Sequence, residues 1–382
     1  MKRAKRVLII RNYLPDDQPS MNYFADSLYR ELSKKGWNMS EMIPWTFFGK
    51  FSFGNIFLEK WFGYLDKFIL LPIRVWFSSS RYDLVHIIDH SYSWLSSLSP
   101  KNKHLVTCHD LIAIRSALGE FKEIHHTRWS GRMLQKIIMK GLRSARAVVC
   151  DCDNTRDDLQ RLIPETKNRN WVVYLGVNRP FRRMEDFEVK KIISGKIIDK
   201  LANREVPYFF HVGIDSWYKN RRSLISAFIK LAERSNAHLV LARGMVSQEE
   251  EKLIEGSPYR DRIHFVGRVT DEEIQALYSL ACSLIFPSWI EGFGWPVVEA
   301  QSCGCPVVVS NREPIKKIAG ESAILIDPSS IESIVEGMRS ILFETSEKRE
   351  ARILAGYENI KYFSQERMIQ DYDRLYCRLM GI

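Results

Sequence analysis

The chain contains no run of roughly 18 or more apolar residues, so no segment is expected to cross a bilayer as a helix, and any membrane contact is expected to be peripheral. Apolar length is short at the start too. Behind Lys2, Arg3, Lys5 and Arg6, the run Val7 to Ile10 ends at Arg11, which is too little for the core of a secretory signal. Cysteine is sparse and odd in number, with seven residues set mostly in apolar runs or beside small residues, as at Cys108, Cys150 and Cys282. That usage is expected of a reduced, cytoplasmic protein. Cys150 and Cys152, like Cys303 and Cys305, have no second Cys or His cluster at zinc-ligand spacing around them, so no metal site is expected. Glycine is missing before Gly36. The loop 12–20 is therefore not built to pass tightly beneath a phosphate, and Asp16 and Asp17 within it would repel one.

What is present points to two or three domains: 382 residues, 45% of them hydrophobic, at about 150 residues per domain. Charge is uneven. Residues 1–190 hold 31 Lys and Arg against 20 Asp and Glu, whereas the remainder is balanced at 25 against 26. The basic first half is expected to meet something anionic, with nucleic acid, anionic lipid and a charged acceptor as the candidates. Short apolar runs at 7–10, 83–88, 104–108, 146–150 and 171–175 alternate with helical spacing, such as Phe24, Leu28, Tyr29 and Leu32 over 22–35. A second series follows at 208–212, 238–241, 263–266, 283–286, 306–309 and 323–326. Strands alternating with helices predict an α/β chain with parallel, doubly wound sheets. The expected boundaries are a first domain at 1–180, a polar and basic linker at 181–205, a second domain at 206–362 and a final segment at 363–382. That last segment carries Met368, Tyr372, Leu375, Tyr376 and Leu379 on one helical face and is expected to pack back on the first domain.

The most informative stretch is Pro287 to Glu299, Pro-Ser-Trp-Ile-Glu-Gly-Phe-Gly-Trp-Pro-Val-Val-Glu. It reads as a strand end, a glycine loop and a helix start. Gly292 and Gly294 permit positive φ, and Pro296 suits the first helical position. Such a turn directs free N–H groups at an anion. Glu291 and Glu299 frame it with hydrogen-bond acceptors, which suit sugar hydroxyls rather than phosphate. A ligand that is part diphosphate and part polyol, a nucleotide sugar, satisfies both.

The Glu-x7-Glu pair of Glu291 and Glu299, within Pro-Ser-x-x-Glu-Gly-Phe-Gly-x-Pro-x-x-Glu-Ala and followed by Cys-Gly-Cys-Pro-Val-Val-Val-Ser, resembles the retaining glycosyltransferases of family 4, the glycosyl transferases of group 1. The resemblance implies the GT-B fold, two Rossmann-like domains facing across a cleft. It implies that Glu291 and the amides of Gly292, Phe293 and Gly294 touch the donor sugar while Glu299 holds the ribose. Lys219 matches the family's diphosphate-neutralising lysine, and Gly213 before it and Asn220 after it are expected to bind the donor with it. Tyr218 stands where an arginine is usual, leaving Arg221, Arg222 and Arg243 as candidates for a second cation. Val269 falls in the loop near the nucleotide base. Thr107 to Asp110 resembles the family's histidine-bearing strand end, so His109 joins Lys219 and Glu291 as an expected catalytic residue, and Asp89, His90, His109 and Asp110 are expected on the acceptor side with the loop 12–20.

Two further features are basic or aromatic. From Trp45 to Phe77 aromatics are dense and interleaved with Lys50, Lys60, Lys67 and Arg74. The spacing of Leu58, Trp61, Phe62, Leu65, Phe68 and Ile69 predicts a core helix, with an amphipathic membrane-surface element as the competing reading. Arg128, Arg132, Lys136, Lys140 and Arg143 form a basic stripe, the usual mark of a solvated face and, with the charge asymmetry, the best candidate for contact with lipid phosphate. The expected activity is metal-independent, retaining transfer of a sugar to a glycan or lipid-linked acceptor in cell-surface polysaccharide or lipopolysaccharide assembly, and no metal-holding Asp-x-Asp is expected at a strand end. UDP or GDP is the expected donor base, with no bound cofactor, no nucleic acid, and a cytoplasmic location at the inner face of the plasma membrane. The alternatives are a nucleotide-sugar epimerase or hydrolase on the same fold, and a non-catalytic basic protein binding membrane or nucleic acid.

Overall fold

A computed structural model describes residues 5–48, 56–98, 103–177, 179–193 and 206–382, apart from the side chains at 56, 57, 59 and 60. Phe51 and Phe53 of the aromatic-dense stretch lie outside the described residues. The chain forms two compact units, Met1–Asn178 with Gln365–Ile382, and Arg179–Ser364.

In the first unit, the strands β1 Arg6–Ile10, β2 Asn38–Met42, β3 Leu84–Ile87, β4 His104–Cys108, β5 Ala147–Cys150 and β6 Asn170–Val172 form one parallel sheet in the order β2-β1-β3-β4-β5-β6. Its central strands are apolar runs because both sheet faces are covered. Val85, Ile87, Val106 and Val148 face a layer that supplies Leu71, Val75, Leu95, Ile138 and Leu142. Residues of alternate parity point the other way. There His86 bonds Tyr376 Oη at 2.7 Å and Thr107 Oγ1 meets Tyr372 Oη at 3.2 Å, which docks the final helix, Gln365–Met380, on this unit. β2 was not anticipated. Its sequence, Asn-Met-Ser-Glu-Met, is an edge strand that buries only Met39 and Met42 and so lacks an apolar run.

The helix expected to be core around 58–69 is turned the other way. Helix Ile56–Leu65, a π turn at Asp66–Leu70 and helix Leu71–Ser79 follow one another, and the buried line is Gly63, Asp66, Leu71, Val75 and Ser79. The five-residue step from Asp66 to Leu71 is the π turn. Buried Asp66 accepts hydrogen bonds from Tyr13 Oη at 3.0 Å and from the Phe48 N–H at 2.9 Å. Small and polar residues therefore line the inward face, and Trp61 (57% exposed), Phe68 (39%) and Ile69 (48%) lie outward.

In the second unit, β7 Tyr208–Val212, β8 His238–Ala242, β9 Ile263–Gly267, β10 Ser283–Phe286, β11 Val307–Ser310 and β12 Ile324–Ile326 form a parallel sheet ordered β12-β11-β10-β7-β8-β9. Two six-stranded parallel sheets, each with helices packed on it, are the two Rossmann-like domains expected from the sequence. The segment expected as a linker is corrected in its described part. Helix Asp186–Ile193 buries Val189 and Ile193 in the core of the second unit with Met184, so the chain is already part of that unit there. Polar residues on its outer side hide this from a composition reading.

Candidate functional site

Chain order in the second sheet reverses between β7 and β10, and side chains following those two strands share the crevice at such a switch point. After β7, the chain turns through Gly213 into a 3-10 turn at Trp217–Lys219. A Cβ on Gly213 would lie 3.4 Å from Lys219 Cδ and Cε, so the lysine stem lies over the bare glycine. Lys219 Nζ meets Glu291 Oε1 at 2.8 Å, and both side chains are about nine-tenths buried, 11% and 8% exposed. The ammonium also lies 4.8 Å from the Phe286 ring centroid. Two residues expected in the site, 72 positions apart, are thus brought into direct contact.

Asn220 has a different role from the expected donor contact. It takes the left-handed conformation (φ 58°) at the start of helix Arg221–Ala232, and its Nδ2 donates to Pro287 O at 3.1 Å and Pro328 O at 2.8 Å. It ties together three loops at the carboxyl edge of the sheet. Gly294 takes the positive φ expected of the two glycines (φ 97°). Its conformation is enforced twice, since a Cβ there would lie 2.3 Å from Ile315 Cδ1. Helix Trp295–Ser302 starts one residue earlier than expected, with Pro296 second, which places Glu299 fifth rather than in the first turn. The Phe293 side chain turns inward onto Phe363, ring centroids 5.7 Å apart, leaving its backbone in the loop with Gly292. Glu299 Oε2 accepts a hydrogen bond from Tyr278 Oη at 3.3 Å. Tyr278 is fully buried on helix Asp271–Leu280 and was missed in the sequence, where it reads as one more apolar position. Val269 packs its side chain on the core in the loop after β9.

The three candidate cations separate clearly. Arg221 is buried against Glu250 at 3.0 Å, and Arg222 is exposed and paired with Glu249. Arg243, just beyond β8 with φ 62°, keeps a 41%-exposed side chain whose Nη2 lies 3.3 Å from Asp271 Oδ1.

The first sheet has its own reversal, between β1 and β3. Asn12 Nδ2 donates to Asp89 Oδ2 at 2.5 Å, and Asp89 Oδ1 accepts from the Ser91 N–H at 2.7 Å. Burial opposes ionisation of Asp89, but His90, His109 and these hydrogen bonds hold its pKa below the usual carboxylate value. His90 Nδ1 is 3.5 Å from Asp89 Oδ1. Asp110 accepts from the Ile112 N–H at 2.9 Å and starts the next helix, Ile112–Ala117.

His109 differs from the expected catalytic contact. Its Nδ1 lies 2.6 Å from Asp151 Oδ2 and its Nε2 is 2.7 Å from Ile88 O, so both ring nitrogens meet internal acceptors. Burial alone would favour the neutral ring, but Asp151 outweighs it and lifts the His109 pKa to about 9. His109 is a buried cation joining the ends of β3, β4 and β5. Its partner belongs to Asp151-Cys152-Asp153, an Asp-x-Asp directly after β5, which corrects the expectation that no such motif stands at a strand end. Asp153 accepts from Tyr174 Oη at 2.6 Å and pairs with Arg156 at 2.8 Å, so both carboxylates have protein partners.

Residues 195–359 match the family described as Glycosyl transferases group 1, and residues 44–179 match Glycosyltransferase Family 4. The chain is 27% identical to the O-antigen chain mannosyltransferase B of Escherichia coli over 246 residues, 63% of each chain. It is 31% identical to the serotype-specific mannosyltransferase WbdA of Escherichia coli over 299 residues, 73% of this chain and 35% of that one. The chain thus spans less than two thirds of the length of these relatives. Among solved structures, Anabaena HepE in complex with UDP and glucose superposes with a TM-score of 0.73 at 14% identity, covering 98% of this chain and 99% of that one. A sucrose-phosphate synthase from Thermosynechococcus elongatus gives 0.71 at 17%, covering 99% of both. Identities this low speak to fold alone.

Proposed function

The chain belongs to the family 4 glycosyltransferases of GT-B fold, and from that premise we propose that it transfers a hexose, mannose in the first instance, from a nucleoside-diphosphate sugar to a glycan or lipid-linked acceptor, with retention of configuration. The setting we propose is cell-surface polysaccharide assembly at the inner face of the plasma membrane. Mannose is chosen because the two Escherichia coli relatives named above are mannosyltransferases.

The observation that carries the proposal is the Lys219–Glu291 contact at the switch point of the second sheet. A departing nucleoside diphosphate needs positive charge that develops no reorganisation cost at the moment of reaction, and a buried, preoriented ammonium supplies it. In this reading, Lys219 faces the leaving diphosphate, with Arg243 as the second cation. The amides of Gly292, Phe293 and Gly294 and the N-terminus of helix Trp295–Ser302 add partial positive charge. Glu291, held by Lys219, accepts from hydroxyls of the sugar, and Glu299 accepts from the ribose diol. This set performs the charge stabilisation with protein groups, so no divalent metal enters the proposed step. The acceptor hydroxyl attacks the face the diphosphate leaves, passing its proton to a departing phosphate oxygen as the new C–O bond forms. In the first unit, Asp89 and His90 stand for the acceptor side, and His109 positions their loop through Ile88 O rather than touching the sugar.

Incubation with GDP-mannose and UDP-glucose, followed by NMR of the anomeric proton in the product, tests the reading. Release of one nucleoside diphosphate with an α-linked product from an α-donor is expected. An inverted product, a trapped covalent glycosyl-enzyme, or release of free sugar alone would overturn it.

A further inference from the structure

Two features that look unrelated in the sequence share one outer layer of the first unit. Leu71 and Val75, Leu95, and Ile138 and Leu142 all pack into the same core cluster on the same sheet face. The segments that carry them, Ile56–Ser79, the 3-10 turn His90–Ser97 and helix Trp129–Ser144, therefore turn their opposite sides to solvent together. The three are locked side by side. Phe68 stacks on Trp94 at 5.1 Å between ring centroids and 22° between planes. Ser93 Oγ donates to Ile138 O at 2.8 Å and Ser96 Oγ to Gly141 O at 2.7 Å. A Cβ at Gly141 would lie 2.3 Å from the Trp94 nitrogen, so the third segment approaches the second backbone to backbone.

The solvent side of this layer is apolar to an unusual degree. Trp61 is 57% exposed, Ile73 49%, Trp76 60% and Phe77 63%, with Trp61, Tyr64 and Phe68 in ring contact at 6.2 and 6.0 Å. On helix Trp129–Ser144, Trp129 (76%), Met133 (41%) and Ile137 (46%) follow at four-residue spacing. Single exposed apolar residues are ordinary, but a continuous face calls for a partner. The same helix carries Arg132, Lys136, Lys140 and Arg143, with Arg128 just before it, and contains no acidic residue.

We propose that this layer is a docking surface for an anionic lipid bilayer, with the aromatic side chains entering the boundary between headgroups and acyl chains and the basic row lying against lipid phosphates. Charge decides between occupants. A second copy of the chain would bring two acid-free basic helices together, and a nucleic acid has no use for Ile73, Met133 and Ile137. The inference rests on the proposed membrane setting and names the surface that would meet the bilayer; that surface lies wholly in the first unit and involves none of the donor residues, so it is testable apart from the transfer chemistry.

The test is flotation of the full chain with vesicles of phosphatidylcholine alone or with about a third phosphatidylglycerol. Variants are Lys136→Glu/Lys140→Glu and Trp76→Ser/Phe77→Ser, with thermal unfolding and nucleotide-sugar binding measured in parallel to report folding. The surface predicts flotation with anionic vesicles, weakened at least about tenfold by either pair of substitutions and by high salt. Equal flotation with neutral vesicles, no flotation, or flotation unaltered in both folded variants would overturn it, as would a stable dimer that buries these residues. Failure here with nucleotide-sugar binding intact leaves the transfer reading standing, and the converse result leaves the surface standing.

Discussion

The two sheets reverse their order at comparable places and furnish them with opposite chemistry. Between β7 and β10 stand an ammonium and a carboxylate in contact, beside a helix start capped by a left-handed glycine. Between β1 and β3, and at the end of β4, stand an Asn12–Asp89 pair and a His109–Asp151 pair, each joined by a hydrogen bond. No glycine precedes Gly36 to open the first of these loops. In the proposed reading the second crevice takes the anionic donor, whereas the first uses its charges to hold strand ends in place. One topology then serves binding in one unit and positioning in the other.

The largest expected effect breaks the second crevice. Lys219→Ala should lower kcat by about two to three orders of magnitude, since it deletes the charge facing the leaving group. It also leaves Glu291 buried without its cation, at a stability cost on the order of 3 kcal/mol, which denaturant unfolding would register. Replacing both partners with apolar residues should restore much of that stability and none of the turnover.

Next, Gly294→Ala introduces a Cβ 2.3 Å from Ile315 Cδ1 at a residue of φ 97°. A loss of roughly 2–3 kcal/mol is expected in the same unfolding measurement, with weaker nucleotide binding.

The first crevice should respond to pH instead. The folded-state pKa of His109 is raised to about 9 from an ordinary value of 6.5, so its contribution is fully present below pH 6.5 and is lost as pH rises through 9. On the order of 2–3 kcal/mol should disappear from the first unit over that window. Asp151→Asn should flatten this dependence, and a dependence unchanged by the substitution would contradict the assigned pairing.

The smallest effect sharpens the comparison. Tyr278→Phe removes one hydrogen bond to Glu299 and should raise the KM for the nucleotide sugar by about threefold to tenfold, leaving kcat nearly unchanged.

The parts of this architecture legible in the sequence were those written as local patterns. Apolar runs located eleven of the strands, and Pro287 to Glu299 together with Lys219 located the crevice of the second unit, because glycine, proline and acid positions there are dictated by backbone geometry. Features set by tertiary contact were not legible. β2 is an edge strand with two inward methionines, and Tyr278 and Asp151 matter only through the residues opposite them. The orientation of the aromatic helix is not legible because a π turn resets the period, and before that turn the buried positions are Gly63 and Asp66 rather than large apolar residues. Helix Asp186–Ile193 was taken for linker because only Val189 and Ile193 of its short length are buried.

Calorimetric titration of the full chain with GDP-mannose and UDP-glucose, repeated on Lys219→Ala, Glu299→Ala and Asp89→Asn, tests the central claim most directly. The account predicts that one nucleotide sugar binds, that either substitution in the second unit weakens it by about tenfold or more, and that Asp89→Asn changes it little. Binding indifferent to Lys219 and Glu299, or abolished by Asp89→Asn in a folded protein, would contradict it.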